Sequence, residues 1–411
     1  MTLQKAIFFV LLVNLSFCQV TKRALFLGNS YTGVNNLPSL TQQVTASTGN
    51  TLIIDSNTPG GYTFQGHSTN VTSLQKIQQG NWDFVVLQEQ SQIPSFPINE
   101  VSTICFPFAT QLNNIILQYN PCAETVFYMT WGRENGDSQN CAANPPVCTY
   151  EGMDDLLRAR YTEMANTNQA IISPVGAVWR YLRTNHPTLN LYSGDGSHPS
   201  LAGSYAAACT FNTVLFRNDP QLITFNSSLS VADAEIIKNA IKTVVYNNLS
   251  TWNVGDFDTT ASFTSNLVSN LQFQFTNTST NGTSYLWDFG DGTTSTDINP
   301  THTYTTIENF NVILTVTNCG VSKQTNQFIN LLSIDEFETN EFLIYPNPVT
   351  DIIHLNLKEE KNEISIYNSV SQLVLKTKNT NKIDVSEFAA GIYFIEINDF
   401  SKSKFVKFLK K

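Results

Sequence analysis

The sequence predicts an α/β unit built on a parallel sheet, followed by two smaller β units. Three observations carry this reading. Between about 20 and 250, five short apolar runs alternate with longer amphipathic or polar stretches, the pattern of βαβ repeats whose sheet is covered on both faces. Near 250 the helical patterns stop, Thr, Ser and Asn dominate, and segments such as LQFQFTN and FNVILTVTN alternate apolar with polar residues. Such alternation marks the half-buried strands of a β-sandwich. After the acidic stretch SIDEFETNEF, short strand patterns resume. At roughly 150 residues per domain, a chain of 411 residues has room for about two or three such units.

Taken in order, residues 1–19 read as a secretory signal. Lys5 gives a charged start, AIFFVLLVNL is the apolar stretch, and small residues lie near 16–19. The apolar run is too short to span a bilayer, and no later stretch is longer. Cys18 as a lipid anchor is the weaker reading, because Phe17 before it is bulky. The first folded unit is expected over 20–255, with strands in ALFLGNS, TLIIDSN, DFVVLQEQ, ETVFYMTW and AIISPVG. VSTICFPFATQLNNIILQYN and YEGMDDLLRARYTEMANTNQ lie between them as helix candidates. The sandwich follows over 256–335. A last unit over 336–411 has strands in DIIHLNL, EISIYN, GIYFIEI and KFVKFL. It holds ten lysines and no arginine, and lysines on short exposed strands discourage edge pairing.

Composition narrows the function. The formal charge is −10, which argues against a nucleic-acid binder, since such proteins carry a basic patch. Beyond the leader six cysteines remain: Cys105, Cys122, Cys141, Cys148, Cys209 and Cys319. An even number in an exported chain permits disulfides. Cys141 and Cys148 flank a short polar loop and are the expected pair, with Cys122 able to compete for either. Cys209 reads as a buried helix thiol. No CxxC pair or His-rich cluster suggests zinc.

The candidate site begins at Gly28-Asn29-Ser30, where an apolar strand stops. Ser30 reads either as a turn serine or as a nucleophile at a strand tip. A second stretch, YSGDGSHPSLAGSYAAAC, places Asp195 three residues before His198, just ahead of a helix. There Asp195 can orient one ring nitrogen and leave the other free to take a proton from a serine. Sites in open parallel sheets form at the carboxyl ends of the strands, where Ser30 and this stretch would both lie. Oxyanion donors could come from Gly60 or Gly61 after the second strand and from Gln88 or Gln90 after the third. The amide of Ser30 would add a donor. Trp131 and Arg133, after the fourth strand, would line a pocket or cap the sheet edge. His67 and His186 read as surface residues.

These residues resemble the SGNH (GDSL-type) hydrolase family over about 20–250. Gly28-Asn29-Ser30 resembles its first block, with Asn29 where the family often has Asp. Gly60-Gly61 resembles the second block, and Asp195 to His198 matches the DxxH of the fifth. LQEQS at 87–91 departs from the common Gly-x-Asn-Asp and resembles branches acting on carbohydrate acetyl esters. The resemblance implies a flavodoxin-like three-layer α/β/α fold with Ser30 as nucleophile, His198 as base and then acid, and Asp195 as its partner. Gly61 and Gln88 would hold the oxyanion, and no cofactor or metal is implied. YLWDFGDG at 285–292 with NPTHTY at 299–304 resembles a PKD-type repeat, a small immunoglobulin-like sandwich. In it Trp287 and Phe289 would point inward, Asp288 outward, and Gly290-Asp291-Gly292 would turn. Tyr304 would begin the next strand. The unit would be a spacer or a polysaccharide binder, and Asp288 and Asp291 turn residues rather than cation ligands. Tyr345-Pro346-Asn347-Pro348, Gly391-Ile392-Tyr393 and the basic end resemble the C-terminal sorting domain of the type IX secretion system. The resulting expectation is a secreted or surface-attached serine esterase that removes O-acetyl groups from polysaccharide and uses the type IX machinery. Two alternatives stand beside it: a lipase or general acylesterase, and an inactive glycan-binding adhesin.

Overall fold

The computed structural model describes residues 19–269, 271–331, 344–356, 363–370, 372–399 and 402–411. The expected leader, Cys18 and the acidic stretch after 332 lie outside the described residues.

The first unit is a five-stranded sheet of β1 (Thr21–Leu27), β2 (Thr51–Asn57), β3 (Phe84–Leu87), β4 (Glu124–Tyr128) and β5 (Ile171–Ser173). Its order is β2-β1-β3-β4-β5 and every pairing is parallel. This is the flavodoxin-like order. The final four residues of β1 and all of β3 are buried, because helices cover both faces, and the strands therefore read as unbroken apolar runs. The helices are α1 (Ser30–Gly33), α2 (Leu37–Ala46), α3 (Phe64–Thr69), α4 (Val71–Ile77), α5 (Ile98–Ile104), α6 (Phe106–Tyr119), α7 (Tyr150–Thr167), α8 (Val175–Asn185), α9 (Leu201–Phe216) and α10 (Val231–Val244). Helices α2, α8, α9 and α10 pack together as one layer, and α3 to α7 as the other. From Ala202 to Leu215, α9 is buried on all sides. Small and apolar residues around its whole circumference permit this.

The second unit has two antiparallel sheets. One holds β6 (Phe263–Ser269), β7 (Gln272–Asn277) and β10 (Thr301–Thr303); the other holds β8 (Ser284–Asp288), β9 (Thr294–Ser295), β11 (Asn309–Asn318) and β12 (Val321–Asn330). Trp287 and Phe289 are buried in its core and Asp288 is exposed. Asp288 and Asp291 accept backbone N–H bonds from Gly290 and Thr293 at 2.9 and 3.0 Å, so both shape the turn. Tyr304 follows β10 rather than opening a strand, and it packs into the core. The last unit sets β13 (Ile344–Tyr345), β14 (Ile352–Leu355) and β17 (Lys382–Asp384) against β15 (Glu363–Asn368), β16 (Leu373–Lys378), β18 (Gly391–Asp399) and β19 (Lys402–Lys410). Ile353, Ile364, Ile366 and Ile395 fill the space between these sheets.

Cys141 pairs with Cys148, whereas Cys122 pairs with Cys319 rather than competing for that loop. Cys105 and Cys209 are free and buried.

Candidate active site

The chain leaves β1 through Gly28 and Asn29 and turns at once into α1. Asn29 caps that turn, accepting the Tyr31 N–H at 3.1 Å. Its Nδ2 donates to the Tyr62 carbonyl at 2.9 Å and the Glu89 carbonyl at 3.4 Å. The residues after β1, β2 and β3 are thereby tied together around Ser30. A methyl group on Gly28 would lie 2.4 Å from Thr32 Oγ1 and 2.7 Å from Gln88 Oε1, so only glycine fits there.

Ser30 Oγ lies 2.8 Å from His198 Nε2, and His198 Nδ1 lies 2.5 Å from Asp195 Oδ2. The second carboxylate oxygen accepts from Ser193 Oγ and from the amides of Ser197 and His198 at 2.7 to 3.0 Å. Partial burial opposes the Asp195 charge. The hydrogen bonds from His198, Ser193 and the two amides outweigh it and hold the carboxyl well below the usual carboxylate range. An ionised Asp195 can only accept, so Nδ1 carries the ring proton. Nε2 is then bare and faces the serine hydroxyl. Ser200 caps α9 by accepting the Gly203 N–H at 3.1 Å, which fixes where the helix starts just beyond His198.

The other expected residues divide. Gly61 has φ +68° in the turn closed by Tyr62 N–H donating to the Pro59 carbonyl at 3.3 Å. That turn favours glycine at its third position. Gly60 and Gly61 are exposed, with open space where a side chain would go. Gln88, expected to donate to an oxyanion, is instead fully buried. Its Oε1 accepts from Asn29 N at 3.0 Å and Thr32 Oγ1 at 2.9 Å, and its Nε2 donates to the Glu89 carbonyl. Both ends of the amide are occupied inside the core. Gln90 is half-buried, and its Nε2 donates to Gln92 Oε1 at 3.2 Å. Trp131, expected to line a pocket or cap the edge, is wholly buried and stacks on Trp179 and Tyr31 with ring centroids 3.7 and 4.9 Å away. Arg133 is half-buried and pairs with the buried Asp137 at 3.2 Å. His186 is half-buried. His67, expected at the surface, is fully buried. Its Nε2 donates to the Gly28 carbonyl at 2.9 Å, and its Nδ1 lies 2.7 Å from Ser73 Oγ.

Glu89 was not anticipated from the sequence. It is fully buried and accepts from the amides of Phe64 and Gln90 at 2.6 to 3.2 Å. Burial pushes its carboxyl up to about 8. A charged residue directly after an apolar strand was the available signal. Among the described residues, no group of His, Cys, Asp and Glu could hold a metal ion, and no helix is long and apolar enough to cross a membrane.

Comparison with known proteins places these units. Residues 251–330 match the PKD domain family and residues 343–411 the secretion system C-terminal sorting domain family. Beta-agarase A of Zobellia galactanivorans is 36% identical over 97 residues, which are 21% of this chain; the chain spans only 18% of that enzyme's length. Neighbours of the α/β unit among solved structures include SGNH and GDSL hydrolases. A DUF4886 family protein from Bacteroides uniformis aligns over 54% of this chain and 94% of its own, at 16% identity and a TM-score of 0.47. A protein described as an SGNH hydrolase from Slackia heliotrinireducens aligns over 47% and 97%, at 25% identity and a TM-score of 0.39. Beyond its α/β unit, the chain carries a PKD domain and a type IX sorting domain, and the latter marks the protein as secreted or held at the cell surface.

Proposed function

We propose that the α/β unit is a serine ester hydrolase that removes acetyl groups from carbohydrate. The observation that carries this reading is the unbroken line from Asp195 through His198 to Ser30, with gaps of 2.5 and 2.8 Å. Ser30 Oγ attacks the ester carbonyl as its proton passes to His198 Nε2. The tetrahedral oxyanion forms beside the amides of Ser30 and Gly61. The Ser30 amide stands at the start of α1, where N–H groups have no partner within the helix. His198 then protonates the departing sugar hydroxyl, leaving acetyl on Ser30. Water attacks that ester, giving its proton to His198, and acetate leaves as Oγ is reprotonated.

The setting supports the acetyl and carbohydrate parts of the reading. The side chains of Asp195 and His198 are 50% and 34% exposed, and the half-buried Gln90, Gln92 and Arg133 lie on neighbouring loops of the same sheet edge. An open, polar site suits a hydrated sugar bearing a small acyl group better than a long apolar chain.

Hydrolysis of p-nitrophenyl acetate by the full chain is the test. Ser30→Ala is expected to lower the rate by at least about a thousandfold while the protein stays folded. In an acyl series the rate should drop steeply beyond acetyl. A folded Ser30→Ala protein with unchanged hydrolysis would overturn the nucleophile, and a rate that rises with chain length would indicate a lipase.

A further inference from the structure

We infer that Tyr31 is a positioning residue for the base of this site, resting on the reading above that His198 serves Ser30. The loop that carries Asp195 and His198 is exposed and contains Gly194 and Gly196, the latter at φ +63°. The hydrogen bonds of Asp195 all stay within residues 193–198. They give the loop its shape but do not fix its distance from the sheet.

That distance is set at Ser197, the residue before the base. Tyr31, the residue after the nucleophile, shares a hydrogen bond of 2.6 Å between its Oη and Ser197 Oγ. The Trp131 Nε1–H donates to the Ser197 carbonyl at 3.1 Å. A third tether joins Glu134 N–H to the Gly196 carbonyl at 2.8 Å. The Tyr31 ring meets the His198 ring edge-on at 5.3 Å between centroids and stacks on Trp131 at 4.9 Å. Trp131 stacks in turn on Trp179, which fits against Gly203 of α9 where no side chain could stand. The aromatic column is buried, so Tyr31 cannot drift. Burial also lifts its phenol above the ordinary value, so the hydroxyl remains a donor at neutral pH. The 2.8 Å gap between Ser30 and His198 is therefore held by these tethers, of which the Tyr31–Ser197 bond joins their immediate neighbours. Proton transfer is sensitive to such placement, a shift of about 1 Å costing up to about a hundredfold.

Tyr31→Phe keeps the stacked ring and deletes only the hydroxyl. Steady-state hydrolysis of p-nitrophenyl acetate by the full chain should show kcat down about tenfold, with KM within about twofold of wild type and Tm nearly unchanged. Ser197→Ala should cause the same loss. The double variant should lose no more than Tyr31→Phe alone, because Ser197→Ala removes a bond that Tyr31→Phe has already removed. Amide hydrogen exchange at 193–198 should rise severalfold in Tyr31→Phe and stay unchanged in the β-strands. Full kcat in Tyr31→Phe, or losses that multiply in the double variant, would overturn the assignment. Ser30→Ala, assayed in parallel, reports separately on the hydrolase reading. If wild type and Ser30→Ala prove equally inert, hydrogen exchange decides: faster exchange in Tyr31→Phe upholds the tether and unchanged exchange removes it.

Discussion

Gly28 shows how tightly the ground under Ser30, the proposed nucleophile, is filled. Thr32 Oγ1 donates to Gln88 Oε1 at 2.9 Å, and these are the two atoms a methyl group at position 28 would strike. Neither can retreat without breaking that bond or the one from Asn29 N to Gln88. Gly28→Ala should therefore destabilise the α/β unit by about 1–3 kcal/mol, the usual cost of overpacking a filled core. It should also lower kcat, because Ser30 lies two residues on. A melting curve with an activity assay checks both, and an unchanged Tm would mean that the packing gives way easily. Gln88 teaches the matching lesson. Its residue type and its place after a strand both suit an oxyanion donor. Its place was decided by where the amide points: the Asn29 N–H holds its oxygen, and its Nε2, the atom an oxyanion would need, donates to the Glu89 carbonyl inside the core.

At the scale of elements, the five strands were legible because burial on both faces leaves an unbroken apolar run. The sandwich strands were legible because burial on one face leaves alternation. Ser30, Asp195 and His198 could be placed at one sheet edge from strand order alone. The three-residue helical step to His67 within a polar run gave no such signal. QGHST makes up most of the short helix α3, and in so polar a run a histidine looks solvated. It is instead the strut between β1, α3 and α4, donating to Gly28 O and accepting from Ser73 Oγ. Burial lowers its pKa to about 4, against 6.5 in the unfolded chain. The fold favours the neutral ring, so its contribution is complete above pH 6.5 and is lost as pH falls through 4. The difference corresponds to about 3 kcal/mol. Denaturant unfolding of the α/β unit at pH 7 and pH 4 should show wild type losing more stability on acidification than His67→Gln. Equal losses would show that the ring is not held neutral.

The whole molecule turns on a contact no local pattern could reveal, since Cys122 and Cys319 are 197 residues apart. Cys122 sits just before β4 and Cys319 in the turn between β11 and β12, so the PKD unit is fastened to the amino-terminal edge of the sheet. Arg217, at the end of α9, reaches the same edge. It holds both carboxylate oxygens of Asp258 and lies 3.9 Å from Glu124. Ser30 is at the opposite edge, about 20 Å away across a strand of seven residues. A glycan bound to the PKD unit would thus lie on the far side of the sheet from Ser30 of its own chain. The ion pairs are more than a third exposed and contribute about 0–1 kcal/mol each, too little to hold two domains together. The disulfide, a covalent tie, is expected to do most of the holding beside the packing of Phe257 on the α/β core. In Cys122→Ser/Cys319→Ser, small-angle scattering should show a larger radius of gyration than wild type, and protease should cut faster near residues 255–262. Hydrolysis of p-nitrophenyl acetate should be unchanged, because the edge that bears Ser30 is untouched. Arg217→Ala alone should leave the scattering curve as it is. If the double variant scatters and digests like wild type, the contacts around Arg217 suffice and the disulfide is not what orients the unit.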